Sequence, residues 1–141
     1  MNNNTHTEKI IVLRFSSMGD VAIVASFLKE FREKYPSVKT IMVSKPPFQA
    51  FFQDISDVTF HPLKAGKEHK GIFGLFKLYK ELKQYKPSAI ADLHDSLRSH
   101  IICSFFRLSG IKIQRLDKGR KEKKELTRPV NKILRQAQTY Y

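Results

Sequence analysis

A nearly unbroken apolar run, Ile10-Ile11-Val12-Leu13, passes through a small polar turn into a segment of helical periodicity, and this stretch, Lys9–Tyr35, constrains the whole chain. Bulky and β-branched residues without polar alternation suit a strand buried on both faces, as in a parallel sheet. After Asp20 the apolar positions Val21, Val24, Ala25, Leu28 and Phe31 recur at three- and four-residue spacing, which is one face of a helix. The turn between them is Ser16-Ser17-Met18-Gly19-Asp20. Ser17 or Asp20 is expected to cap the helix, and Gly19 to let the backbone turn tightly. Such a junction sets backbone N–H groups and a positive helix end at the carboxyl edge of a strand, where open α/β sheets bind ligands. The turn lacks the glycine spacing of a dinucleotide or P-loop fingerprint, so a capped junction and a binding site both remain open here.

The rest of the chain repeats strand and helix. Pro36 ends the first helix, Val38–Ser44 reads as a second strand, and Lys45-Pro46-Pro47 breaks it. A short helix is expected over Phe48–Gln53, a third strand over Asp57–His61, and an amphipathic helix over Ile72–Tyr85 packed through Phe73, Phe76, Tyr79 and Leu82. Ser88–Leu93 reads as a fourth strand, followed by an apolar helical run to Leu108 and a fifth strand, Ile111–Gln114. This alternation predicts an α/β fold: a Rossmann-like parallel sheet with helices on both faces. Residues 1–8 are expected to be a disordered extension, 9–114 the folded domain, and 115–141 a basic loop and helical tail that incompletely ends the same domain, with Asn131–Thr139 helical.

Charge and cysteine usage narrow the classes. The chain has 141 residues and a net charge of +13. The excess sits in two windows: Lys64–Lys86 carries seven Lys against Glu68 and Glu81, and Arg107–Arg135 carries eleven basic residues against three acidic ones. Such concentration favours an anionic partner, whether phosphate, acidic lipid or nucleic acid. No RNA-binding signature or interleaving of aromatic and basic residues points to nucleic acid. The single cysteine, Cys103, forbids an internal disulfide and sits in an apolar segment as a core residue; a reducing, cytoplasmic setting is the simplest inference. His61 and His69 flank a Lys/Gly-rich loop without partners at metal-ligand spacing, and no metal is expected. No apolar run approaches the roughly 20 residues that span a bilayer.

Two segments carry more than a generic α/β pattern. Arg14-Phe15-Ser16-Ser17-Met18-Gly19-Asp20 is followed, after Tyr35-Pro36, by Asp92-Leu93-His94-Asp95-Ser96-Leu97-Arg98-Ser99 beyond another strand. The pair, in this order and separation, resembles the N-terminal, acceptor-binding domain of the lipopolysaccharide heptosyltransferases, ADP-heptose-dependent GT-B glycosyltransferases, over roughly Lys9 to Leu116.

The resemblance implies one half of a GT-B architecture and transfer of a heptose from a nucleotide-activated donor to a lipopolysaccharide core acceptor. It makes Asp20 the general base on the acceptor hydroxyl. Ser16, Ser17, Met18, Gly19 and Arg98 become candidates for acceptor or phosphate contacts. It implies no metal or resident cofactor; ADP-heptose or a similar nucleotide sugar is a substrate, held by a second domain. The partners implied are a lipid-linked saccharide and, peripherally, the anionic inner membrane. With 141 residues there is room for one such domain, so the fragment is expected to be inactive alone. The alternative is a non-catalytic basic α/β module that binds phosphate-containing ligands or nucleic acid.

Overall fold

A computed structural model describes residues 8–115. The elements run β1 (Glu8–Leu13), α1 (Met18–Lys34), β2 (Val38–Ser44), a 3-10 helix (Pro46–Phe52), β3 (Val58–Pro62), α2 (Gly71–Lys83), β4 (Ala89–Asp92), α3 (Leu97–Leu108) and β5 (Lys112–Arg115). All five strands pair in parallel in the order β3-β2-β1-β4-β5. The expected α/β sheet is therefore present, with β1 at its centre. Glu8 already belongs to β1 and Arg115 closes β5, so the sheet reaches one residue past each end of the expected 9–114 span. The expected helix at 131–139 lies outside the described residues.

Alternation along the central strands separates two cores. Ile11 and Leu13 of β1 and Ile41 and Val43 of β2 face α2 and α3, where Leu75, Leu78, Leu82, Ile102 and Phe106 cover them. Val12 and Met42 face the other way, against Val21, Val24, Ala25 and Leu28 of α1 and Phe52 of the 3-10 helix. Helices thus lie on both faces, and β1 is buried on both, which is why its sequence is unbroken and apolar. After β1 the chain turns toward β2; after β4 it turns toward β5. The strand order therefore reverses between β1 and β4, and the carboxyl ends of those two strands form the crevice where ligands of such sheets bind.

Two expectations about helices are corrected. The helix α1 begins at Met18, so Gly19 lies inside its first turn and is absent from the glycines with positive φ; no tight turn rests on it. The core face of α2 is Gly74, Leu75, Leu78, Tyr79 and Leu82, whereas Phe73 is 88% exposed and Phe76 41%. The segment IFGLFKLY carries two overlapping apolar stripes, and periodicity alone does not say which one meets the sheet. Gly74 settles the phase. A Cβ there would stand 2.3 Å from the carbonyl carbon of His69, so the loop before α2 folds against the helix over a bare backbone.

Candidate functional site

The end of β1 is built around a buried arginine. The hydrogen-bond ladder continues past the strand, with Arg14 N–H donating to Val43 O and Leu93 N–H donating to Leu13 O. This fixes the Arg14 backbone at the reversal point. Its side chain donates from NH1 to Leu93 O (2.8 Å) and from NH2 to Asp20 Oδ2 (2.5 Å). One guanidinium thus joins the loop after β4 to the first turn of α1. Ser17 occupies the N-cap position, but its hydroxyl donates to Asp20 Oδ2 at 3.0 Å instead of accepting from a backbone N–H. A carboxylate is the stronger acceptor, and the expected cap is replaced by an anchor for Asp20. Both recorded contacts fall on Oδ2, and the Asp20 side chain keeps 35% of its surface exposed. Among the described residues no hydrogen bond falls on Oδ1.

The end of β4 explains most of the second segment. Asp92 is fully buried, and its Oδ1 accepts the backbone N–H groups of His94 (3.0 Å) and Asp95 (2.9 Å), an Asx turn. Arg115 Nε–H donates to Asp92 Oδ2 at 3.0 Å. Burial acts to lower the Arg115 pKa, but the bond and charge of Asp92 outweigh it and raise it. Asp95 adopts φ 50°, a left-handed conformation that Asp tolerates, and accepts from His100 Nε2 at 2.5 Å. Ser96 and Ser99 form a capping box on α3, Ser99 N–H to Ser96 Oγ at 3.3 Å and Ser96 N–H to Ser99 Oγ at 2.8 Å. Asp92, Ser96 and Ser99 therefore shape the loop, while Arg98 in the first turn of α3 stands exposed.

Arg98 lines a cavity of about 850 Å³ at the same edge of the sheet, together with Lys45, Lys64, Lys67, Glu68 and other residues of the loop after β3. Four cations face one carboxylate. Glu68 is itself held by Lys64 (3.6 Å) and Lys77 (3.8 Å), which leaves the cavity a positive field suited to a phosphorylated or carboxylated ligand.

The loop that forms this wall is pinned from below. Glu81 Oε2 accepts from His61 Nε2 (3.0 Å) and from His69 Nε2 (2.9 Å). Lys64 N–H donates to His69 Nδ1 at 3.0 Å, which places the His69 proton on Nε2. His61 Nδ1 meets the Tyr85 hydroxyl at 3.0 Å. Burial alone pushes the Glu81 pKa up, but the hydrogen bonds and charge of His61 and His69 prevail and hold it below the usual value of 4.5. The expectation that the two histidines lack partners is corrected: Glu81 arrives from α2, too far along the sequence for spacing to show. Glu68, His69 and Glu81 form one carboxylate–imidazole cluster, and Asp92, Asp95 and His100 another, each engaged in the protein's own hydrogen bonds or ion pairs.

The site residues expected from sequence divide into two groups. Ser16 to Asp20 cluster at the end of β1, with Ser16 and Asp20 half-buried and Ser17, Met18 and Gly19 exposed. Arg98 belongs to the basic cavity beside the β2 and β3 ends. Sequence reading missed Arg14 and the cavity lysines 45, 64 and 67. A charged residue directly after a strand buried on both faces was the available sign for Arg14. The lysines were visible only as part of a diffuse basic window.

No family model matches the chain, and no curated protein matches it by sequence. A solved structure is similar in fold: a glycosyl transferase family 9 protein from Veillonella parvula superposes with a TM-score of 0.65 over 79% of this chain at 21% identity. The two share a fold. This chain spans 37% of the length of that protein, so it corresponds to a part of it.

Proposed function

We propose that this chain is the acceptor-binding half of a glycosyltransferase, transferring a heptose or related sugar from a nucleotide-activated donor to a phosphorylated lipopolysaccharide core saccharide. The observation that carries this reading is the Asp20 carboxylate, held through Oδ2 at the carboxyl edge of the central strand by Arg14 and Ser17, with no partner on Oδ1 among the described residues. The basic cavity at the same edge suits an acceptor that bears phosphate. The shared fold with a glycosyl transferase family 9 protein supports the class of reaction.

The chemistry asked of this half is modest. The acceptor hydroxyl hydrogen-bonds to Asp20 Oδ1 and gives up its proton as its oxygen attacks the anomeric carbon. The bond from that carbon to the diphosphate breaks, and the diphosphate leaves with the electron pair on the donor side. Configuration inverts. Arg14 and Ser17 keep the carboxylate from rotating away, and Lys45, Lys64, Lys67 and Arg98 orient the acceptor through its anionic groups. The donor contacts and the stabilisation of the leaving group come from a second, donor-binding half.

The test is turnover with the donor half supplied, in one chain or in trans. Asp20→Asn should lower kcat by about 100-fold or more, the usual worth of a positioned general base, with donor affinity unchanged. Undiminished turnover would remove the base assignment. Saturable binding of nucleic acid at physiological salt, with none of phosphorylated saccharide, would instead favour a non-catalytic basic module.

A further inference from the structure

We propose that His69 is a proton switch on the wall of the basic cavity: its protonation opens the neck of the loop after β3, so the cavity holds anions more tightly at about pH 8 than at about pH 5. The neck is two hydrogen bonds between the same two residues. His69 N–H donates to Lys64 O at 3.1 Å, and Lys64 N–H donates to His69 Nδ1 at 3.0 Å. Between them the chain sets Lys64, Lys67 and Glu68 in the cavity wall. The second bond exists only while Nδ1 keeps its lone pair, because both nitrogens of an imidazolium are donors. A proton on Nδ1 points one N–H at another, and the bond must open.

The surroundings decide which group takes the proton and which part yields. Glu81 faces the ring from α2, and His61 of β3 reaches the same Glu81 oxygen. Glu68 lies beside them on the loop, paired with Lys64 and with Lys77 of α2, and Tyr85 closes the group behind His61. Glu81 stays ionised over this range, since the two histidines hold its pKa below 4.5 although burial acts to raise it. The proton therefore goes to an imidazole. His61 accepts one without conflict: Nε2–H donates to Glu81, and Nδ1–H donates to a Tyr85 hydroxyl that can turn to receive it. His69 faces a backbone N–H, which cannot turn. Its ring is 2% exposed, its Nε2–H is held by Glu81 at 2.9 Å, and its backbone rests on Gly74 with no space behind it. Movement therefore falls on Lys64 and the wall it carries. Added positive charge at low pH would by itself strengthen anion binding, the opposite direction to the switch. The switch rests on the function proposed above only in taking the cavity as an anion site.

The test is calorimetry of the 141-residue chain with sulfate, which keeps its charge across this range, at constant ionic strength from about pH 8 to about pH 5. Sulfate affinity should fall about fivefold as the pH drops, the scale of one backbone hydrogen bond. His69→Gln should flatten the profile, because its amide can accept from Lys64 N–H and donate to Glu81 without titrating. His61→Gln should leave the pH dependence in place. A readout that needs no variant is the Lys64 amide resonance, which should shift in step with titration of the His69 ring. Four results would each overturn the switch: no sulfate binding at any pH, affinity constant or rising as pH falls, the same profile in His69→Gln as in the parent, or a Lys64 amide that ignores the His69 titration. A working switch in a chain that binds no phosphorylated saccharide removes the function proposed above and keeps the switch; saccharide binding without any pH dependence does the reverse.

Discussion

Arg14 and Asp20, six residues apart and on opposite sides of the β1–α1 turn, meet at 2.5 Å while the same guanidinium holds Leu93 O at 2.8 Å. The two sequence segments that stand out in this chain are therefore one structural unit. Arg14 is buried, so its bonds are made largely out of water. Arg14→Ala should cost on the order of 1–3 kcal/mol of unfolding free energy, toward the low end because solvent screens the part-exposed Asp20. Arg14→Lys should recover only part of this, since one ammonium replaces a fork that reaches two acceptors. Urea unfolding measures both; a loss below about 0.5 kcal/mol for the alanine variant would put the pair among ordinary surface contacts.

Gly74→Ala tests how the cavity wall is built. Its new methyl would occupy the space of the His69 backbone, so either the loop or the helix must move. A loss of about 1–3 kcal/mol is expected. Weaker binding of anions in the cavity should accompany it, because Lys64 and Lys67 ride on the displaced loop. Thermal unfolding together with a sulfate titration would show both, or neither if the contact relaxes freely.

Acid should loosen the same loop. The Glu81 pKa is held below 4.5 by His61 and His69 despite burial that acts the other way. A group depressed in the folded state adds stability above its unfolded pKa and loses it as pH falls through the folded value. The contribution is therefore full above about pH 5 and fades below pH 4.5. Glu81→Gln should flatten this part of the stability–pH curve, read from melting temperatures between neutral pH and pH 3; a curve identical to that of the parent would contradict the linkage.

Cys103 should be inert while the protein is folded. Burial first, and the charge of Asp92 after it, push the thiol up to about 11, so almost no thiolate is present at neutral pH. It is also 1% exposed. Iodoacetamide should leave Cys103 unmodified by mass spectrometry until denaturant is added; prompt alkylation of the native chain would contradict its place in the core.

The centre of the sheet was legible because its strands announce themselves by burial, whereas β3 and β5 at the edges hold no buried residue. The residues of β1 and β2 are apolar on both faces, and Pro36, Pro46 and Pro62 punctuate the chain at or next to element ends. Helix phase was not legible in α2, where Phe73 and Leu75 are equally apolar and only the packing of Gly74 on His69 decides between them. At the site, Asp20 and Arg98 could be picked out as polar residues at strand ends. Their partners could not. Arg14 joins Leu93 across 79 positions, and His61 and His69 reach Glu81 across 20 and 12, separations that no local pattern encodes. The capping role of Ser96 and Ser99 was hidden for another reason: a box usually carries Glu or Gln at its third position, and here Ser does the work.

The proposed acceptor role of this half requires that a phosphorylated saccharide bind the basic cavity at the carboxyl edge of the sheet. Isothermal calorimetry of the chain with a phosphorylated inner-core saccharide, with the same saccharide after phosphatase treatment, and with ADP tests it most directly. The phosphorylated saccharide should bind, removal of its phosphates should weaken binding by about tenfold or more, Arg98→Ala should do the same, and ADP should bind more weakly than the saccharide. ADP binding more tightly than the phosphorylated saccharide, or saccharide binding indifferent to phosphate, would contradict it.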